Sequence, residues 1–221
     1  MSANEVMCVE RRLLEEEFGT WNGVKNDDLL RLYRFLKERG EFRNRENVET
    51  DPTYIQLVTW IVVQRYDRLW VMQRPVDVSE PRMDSSWRLG VREHVSVPDG
   101  TPPLDPVAWA TRHMWGTTVT VDRNCRAHLA GALIDQGTEV GKFHMGLIFF
   151  VGLQRGLPEI NPDLNVVGSF HTVDSLRRHS HDLDDWSRLI MAALSSGSLT
   201  SSLPGDRLLL NANRHPRFAE F

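Results

Sequence analysis

An α/β/α sandwich built on a mixed β-sheet is the fold class that this sequence predicts. Three observations predict it: two pairs of apolar, β-branched runs that read as hairpins, one helical segment between the pairs, and amphipathic helical segments towards both ends.

The elements follow in chain order. Residues 5–9 suit a short strand, and 11–18, acidic and leucine-rich, one or two helical turns. In 26–39, NDDLLRLYRFLKER sets Leu29, Leu30, Tyr33 and Leu36 on one helical stripe, with Asp27 and Asp28 as capping candidates and Gly40 as the stop. Residues 54–65 (YIQLVTWIVVQR) and 68–74 (RLWVMQR) are β-branched and aromatic, and Tyr66 and Asp67 separate them as the turn of a hairpin. Residues 87–97 (WRLGVREHVSV) alternate less cleanly, and Gly90 marks a bulge or a close backbone approach. PDGTPPLDP at 98–106 is a loop by composition. A helix at 106–117 takes Pro106 in its first position and Asp105 as its cap, and 118–121 is extended. Residues 127–134 and 142–153, joined by DQGTEVG, form the second hairpin. NVVGSFHT at 165–172 reads as the last strand, followed by helices at 173–179 and 184–194, the second capped by Asp182 or Asp184.

At 221 residues the chain suits one domain, 1–198 with its N-terminal helical elaboration, followed by a Ser-, Gly- and Asn-rich tail at 199–221. Hydrophobic residues at 41% and charged residues at 25% are close to the soluble globular average, which favours neither a disordered nor a membrane class. A net charge of −4 argues against broad attachment to nucleic acid, though a local arginine patch can still grip a phosphate. Cys8 and Cys125 are too few for a disulfide framework or a cysteine zinc site, and MSANEVMCVERR lacks the basic start and apolar run of a secretory signal. The expectation is a soluble protein of the cytoplasm. P-loop spacing, the dinucleotide fingerprint, HExxH and GxSxG are all absent from the sequence.

GEFRNRENVETDPTYIQLVTWIVVQ, QRP, SSWRLGVREHVSVPDG, EVGKFHMGLIFFV, GSFHTVDSL and DDWSRLI, in that order and spacing, resemble a bacterial Nudix subgroup of predicted phosphoesterases across residues 5–195. The resemblance implies a Nudix-type sandwich in which a loop, helix and loop carry the Nudix box. The subgroup's Gly-Gly-His strand end falls on Arg92-Glu93-His94, its loop aspartate on Asp99, and its Arg-Glu and Glu-Glu pairs on the helix with Arg112, His113, Gly116 and Thr117. Glutamates three and four apart share a helix face, where several carboxylate oxygens hold the divalent metals that bridge water and leaving phosphate. Here His113, Gly116 and Thr117 replace the helix carboxylates, and the earlier box glutamate falls on Leu104.

The expectation is therefore a Nudix-fold protein that has lost the box chemistry and binds a nucleotide-like ligand, a protein partner, or both, with no cofactor. The alternative is a metal-dependent phosphoesterase that keeps Mg²⁺ or Mn²⁺ on a relocated site, with Glu93, Asp99, Asp105 and Glu139 as candidate ligands and Glu93, Asp99 and His113 as candidate catalytic groups. For Glu93, Asp99 and Asp105 the simpler reading is that they are solvated or cap turns and helices. Arg43, Arg45, Arg74, His94, Arg112 and His144 are candidates for ligand phosphate, because a planar guanidinium takes phosphate bidentately; His94 and His144 match histidines of the subgroup. Against that stand ordinary solvated arginines and strand histidines satisfied by a local hydrogen bond. Of seven tryptophans, Trp60, Trp87 and Trp186 suit core packing, whereas Trp109 and Trp115 flank the altered box and are candidates for a protein interface.

Overall fold

The computed structural model describes residues 5–73, 87–96, 105, 107, 119–120, 126–153, 157–161, 166–199 and 209–211. The chain opens with β1 (Glu5–Glu10), α1 (Arg11–Phe18), β2 (Gly23–Lys25) and α2 (Leu29–Arg39). Helix α2 buries Leu32, Tyr33 and Leu36 and leaves Leu30 42% exposed. The expected stripe thus took in Leu30 and left out Leu32: Leu29, Leu32, Tyr33 and Leu36 follow the i, i+3, i+4, i+7 spacing, and Leu30 sits about 100° away from Leu29. Neither aspartate caps α2 with its side chain. Asp28 starts the helix in the left-handed region at φ 53, and Asp27 pairs with Lys25 at 2.8 Å. Gly40 does end the helix, donating its N–H to Leu36 O from an extended conformation.

After β3 (Glu41–Asn44) and α3 (Arg45–Val48), the expected hairpin is present as β4 (Tyr54–Arg65) and β5 (Arg68–Gln73), turning at Tyr66 with φ 56. The strands pair only at 64–65 with 68–69 and then part. The gap is filled by β6 (Trp87–Leu89), antiparallel to β5, and β7 (Val91–His94), antiparallel to β4. Gly90 is the step between them, at φ 81, where a Cβ would overlap the Ile61 carbonyl. The short strand β8 (Val119–Thr120) is followed by β9 (Arg126–Ile134) and β10 (His144–Gly152), which form the second hairpin, and β8 pairs with β11 (Glu159–Ile160) in a separate two-stranded sheet.

Strand β10 runs parallel to β4, while the other pairings of the main sheet are antiparallel, so the sheet is mixed as expected. Next come β12 (Val167–Thr172), which pairs with β5, then α4 (Val173–Arg178) and α5 (Asp185–Ser196). Strand β12 is not the last: β13 (Leu209–Asn211) returns to pair with β9, a strand too short to show a pattern in a polar tail.

Alternation along β4 divides the core. Ile55, Leu57, Ile61 and Val63 pack towards α1 and α2, whereas Val58, Trp60 and Val62 pack towards α4 and α5. Val107, the start of the expected box helix, is buried on the α2 side. No helix among the described residues is long and apolar enough to cross a membrane.

Ser187 ties α5 to the sheet. It is fully buried, and its Oγ accepts the Leu89 N–H at 2.9 Å. Ser187→Ala strands that buried donor, so urea unfolding is expected to show a loss of about 1–3 kcal/mol at an unchanged m-value.

Candidate functional site

The turn between β9 and β10 builds one half of the site. Asp135, nearly buried at the end of β9, accepts from the Gly137 N–H and the Thr138 hydroxyl, both at 3.0 Å. Thr138 Oγ1 accepts from the Gly141 N–H at 3.0 Å, and the backbone bonds from Lys142 to Thr138 and from Phe143 to Val140 wind the chain into a short helical turn. This turn brings the Val140 carbonyl within 2.6 Å of His144 Nδ1. A carbonyl only accepts, so His144 carries a proton on Nδ1.

His94, the last residue of β7, lies opposite Val58 on one edge of β4; His144, the first residue of β10, lies opposite Gln56 on the other. Their Nε2 atoms are 3.0 Å apart. Burial first, then the neighbouring His144, Arg45 and Arg92, pushes the His94 imidazole down to about 3. Burial also lowers His144, against the opposing pull of the Val140 carbonyl. With both rings neutral and His144 protonated on Nδ1, His144 Nε2 accepts and His94 Nε2–H donates. His94 Nδ1 is then left as a bare acceptor.

Three guanidinium groups border the pair. Arg45 opens α3, whose first turn is capped by Asn44 Oδ1 accepting from the Glu46 N–H at 3.0 Å, and it reaches Glu49 at 3.5 Å. Arg88 and Arg92, on either side of Gly90, reach Asp184 Oδ2 at 3.4 and 3.7 Å. Asp184 is also the cap of α5, accepting the Ser187 N–H at 2.8 Å, so one carboxylate fixes the helix start and both arginines. Of the two expected caps, Asp184 is the one used. The Arg92 guanidinium lies over Trp60 and Trp186, at 5.2 and 5.7 Å from their ring centroids, and those indoles stack at 5.5 Å. Trp186 reaches the sheet because Gly146 leaves room: a Cβ there would stand 2.8 Å from the indole.

These groups line a cavity of about 700 Å³, which Phe143, Val140 and Thr50 also border. Of the residues expected from the sequence, Arg45, Glu93, His94, Glu139 and His144 come together around it. Glu93 pairs with Thr59, and the strand alternation turns its side chain towards the α2 face; Glu139 is exposed and pairs with Lys142 at 2.6 Å. Arg43 is held elsewhere, 2.8 Å from Glu41 and 4.0 Å over the Tyr54 ring. Asp105 is drawn to α2, where its carboxylate accepts from the Tyr33 hydroxyl at 2.6 Å and from Lys37 at 3.2 Å. Arg74, Asp99, Trp109, Arg112, His113 and Trp115 lie outside the described residues.

Among the described residues no group of three His, Cys, Asp or Glu side chains could hold a metal ion. Those residues therefore do not fit the divalent centre that Nudix chemistry implies. A second cavity, of about 790 Å³, runs along α2 beside Arg31, Arg34 and Leu129. Arg31 there is matched by Glu17 and Asp28, and no histidine contributes, so the His94 cavity is the richer in unlike chemical groups.

The sequence reading passed over Arg88, Arg92, Phe143 and Trp186 as site residues. The signal for the arginines was present in WRLGVREH, where they stand two residues either side of the glycine that steps the chain between strands.

No family model matches the chain. It is 21% identical over 210 residues to Protein YmaB of Bacillus subtilis (strain 168), a match that spans 86% of this chain and 98% of that protein. The solved structure of Tm1382, "a putative Nudix hydrolase", superposes with a TM-score of 0.72 at 23% identity, covering 87% of this chain and 98% of that one. This is the Nudix fold. DR0079 from Deinococcus radiodurans is more distant, with a TM-score of 0.44 at 16% identity over 62% of this chain and 81% of that one. The Nudix fold sets its sheet between helices, and in this chain α1 and α2 cover one face while α4 and α5 cover the other.

Proposed function

We propose that this protein is a Nudix-fold binding module that takes a nucleotide-like, phosphate-bearing ligand in the His94 cavity and does not hydrolyse it by box chemistry. The observation that carries the reading is the meeting of Arg45, Arg88 and Arg92 with a neutral imidazole pair and the Trp186 indole around one cavity of about 700 Å³. Guanidinium groups suit phosphate oxygens, and the apolar walls suit the remainder of such a ligand. Arg88 and Arg92 are held by the nearly buried Asp184, so Arg45, whose ion pair is to the exposed Glu49, is the group best placed to turn to an incoming anion. The His113, Gly116 and Thr117 replacements in the box support binding without turnover.

Calorimetric titration with ADP and ADP-ribose is the test, with mass-spectrometric detection of hydrolysis in Mg²⁺ or Mn²⁺ and in chelator. The expected result is saturable binding without turnover. Arg45→Ala should weaken it about tenfold or more, since a hydrogen bond to a charged group contributes about 1.5–3 kcal/mol. Metal-dependent turnover that is lost in Glu93→Gln would replace this reading with that of a divergent phosphoesterase.

A further inference from the structure

The geometry points to a hydroxyl requirement: His94 Nδ1 accepts a hydrogen bond from a ligand hydroxyl while Arg45 holds the neighbouring phosphate, so the cavity selects ribose phosphates over their deoxygenated analogues. The inference rests on the nucleotide-binding reading of the same cavity and adds to it which part of the ligand is read.

The chain of bonds begins at the backbone. The Val140 carbonyl can only accept, which puts the proton of His144 on Nδ1 and leaves its Nε2 as a lone pair. That lone pair lies 3.0 Å from His94 Nε2, which must then be the donor. A neutral imidazole has one proton, so His94 Nδ1 has none. Among the described residues no protein group donates to it, while His94 itself borders the cavity. An acceptor of this kind is satisfied by a ligand O–H and by nothing in the dianion of a phosphate ester, which offers only acceptors. The guanidinium of Arg45 borders the same space and supplies donors only. One ligand therefore has to present an anionic oxygen to Arg45 and a hydroxyl to His94, which a ribose phosphate does.

His144 is a positioning residue in this scheme. It fixes which His94 nitrogen carries the proton, and Asp135 and Thr138 fix His144 by holding the turn that carries Val140. Sites that hydrogen-bond a substrate hydroxyl discriminate strongly against analogues that lack it, because the acceptor facing the cavity is then left unmet under the bound ligand.

Two measurements test this. Titration should show AMP binding about tenfold or more tightly than 2′,3′-dideoxy-AMP, and His94→Phe should bring AMP down to the dideoxy affinity. Nitrogen-15 NMR of the ligand-free protein should show His144 protonated at Nδ1 and His94 at Nε2. Equal affinities of AMP and its dideoxy analogue, or a proton on His94 Nδ1, would overturn the inference while leaving the nucleotide-binding reading standing. If no nucleotide binds at all, that broader reading falls and takes the ligand assignment with it.

Discussion

Gly90→Ala is expected to cost about 3 kcal/mol or more of folding stability. Gly90 stands at φ 81, and a left-handed residue with a Cβ costs roughly 1–2 kcal/mol on its own. The added carbon would also overlap the Ile61 carbonyl and lie 3.1 Å from Val62 Cα. That backbone belongs to β4, which β10 grips along its length and β7 borders on the other edge, so it has little freedom to retreat. Overpacking of this kind adds about 1–3 kcal/mol. With an m-value of about 2 kcal/mol/M the urea midpoint should fall by about 1.5 M, and a shift of less than about 0.3 M would show that the step between β6 and β7 is not strained by a side chain. The same change should weaken ligand binding, because Arg88 and Arg92 flank Gly90 and reach one carboxylate only while both strands keep register.

Gly90 also shows how far the sequence could be read. A glycine interrupting WRLGVREHVSV signalled a close backbone approach, and the structure supplies the neighbour, Ile61. What the sequence did not signal is that the chain changes partner there, from β5 to β4. That depends on β4 and β5 parting after two pairs, which no local pattern encodes. Both hairpins and the C-terminal helices were legible because their periodicity and turn residues are local. The stripe of α2 took in Leu30 and left out Leu32, because the leucines are equally apolar and only the sheet beneath decides between them. Strand β13 was illegible, since three residues of a polar tail pair with β9 through the edge they meet.

The candidate site divides along the same line. His94 and His144 were identified singly, fifty residues apart. Their meeting requires β7 and β10 to flank β4 with Val58 and Gln56 in the observed register, which is a property of the assembled sheet. Asp184 was legible as a cap, yet its second task, holding Arg88 and Arg92, follows from where α5 lands on the sheet. Trp186 read as a core residue and is one, 5% exposed against Trp60, and the same ring is a wall of the cavity. A residue serving both purposes carries no separate mark in a sequence.

The buried imidazole pair should also make stability depend steeply on pH. The His94 ring is held near 3 by burial and by the adjacent His144, Arg45 and Arg92, well below its ordinary value of 6.5, and His144 is lowered as well. In the unfolded chain both rings take up protons below about 6.5, while the folded chain keeps them neutral, so acid favours unfolding. The stabilising difference is fully present above that value and is lost progressively as pH falls towards 3. For His94 alone the loss between pH 7 and pH 5 is about 2 kcal/mol, at about 1.4 kcal/mol per pH unit once the unfolded ring is mostly charged. His171 is shifted in the same sense, through burial and the neighbouring His179, so the informative quantity is a difference between proteins and not the wild-type slope. Denaturant titrations at pH 7, 6 and 5 on wild type and on His94→Gln, whose amide can still donate to His144, should show the variant losing about 2 kcal/mol less over that range. Parallel pH profiles would mean that the His94 ring titrates alike in the folded and unfolded chains, and that burial does not hold it neutral.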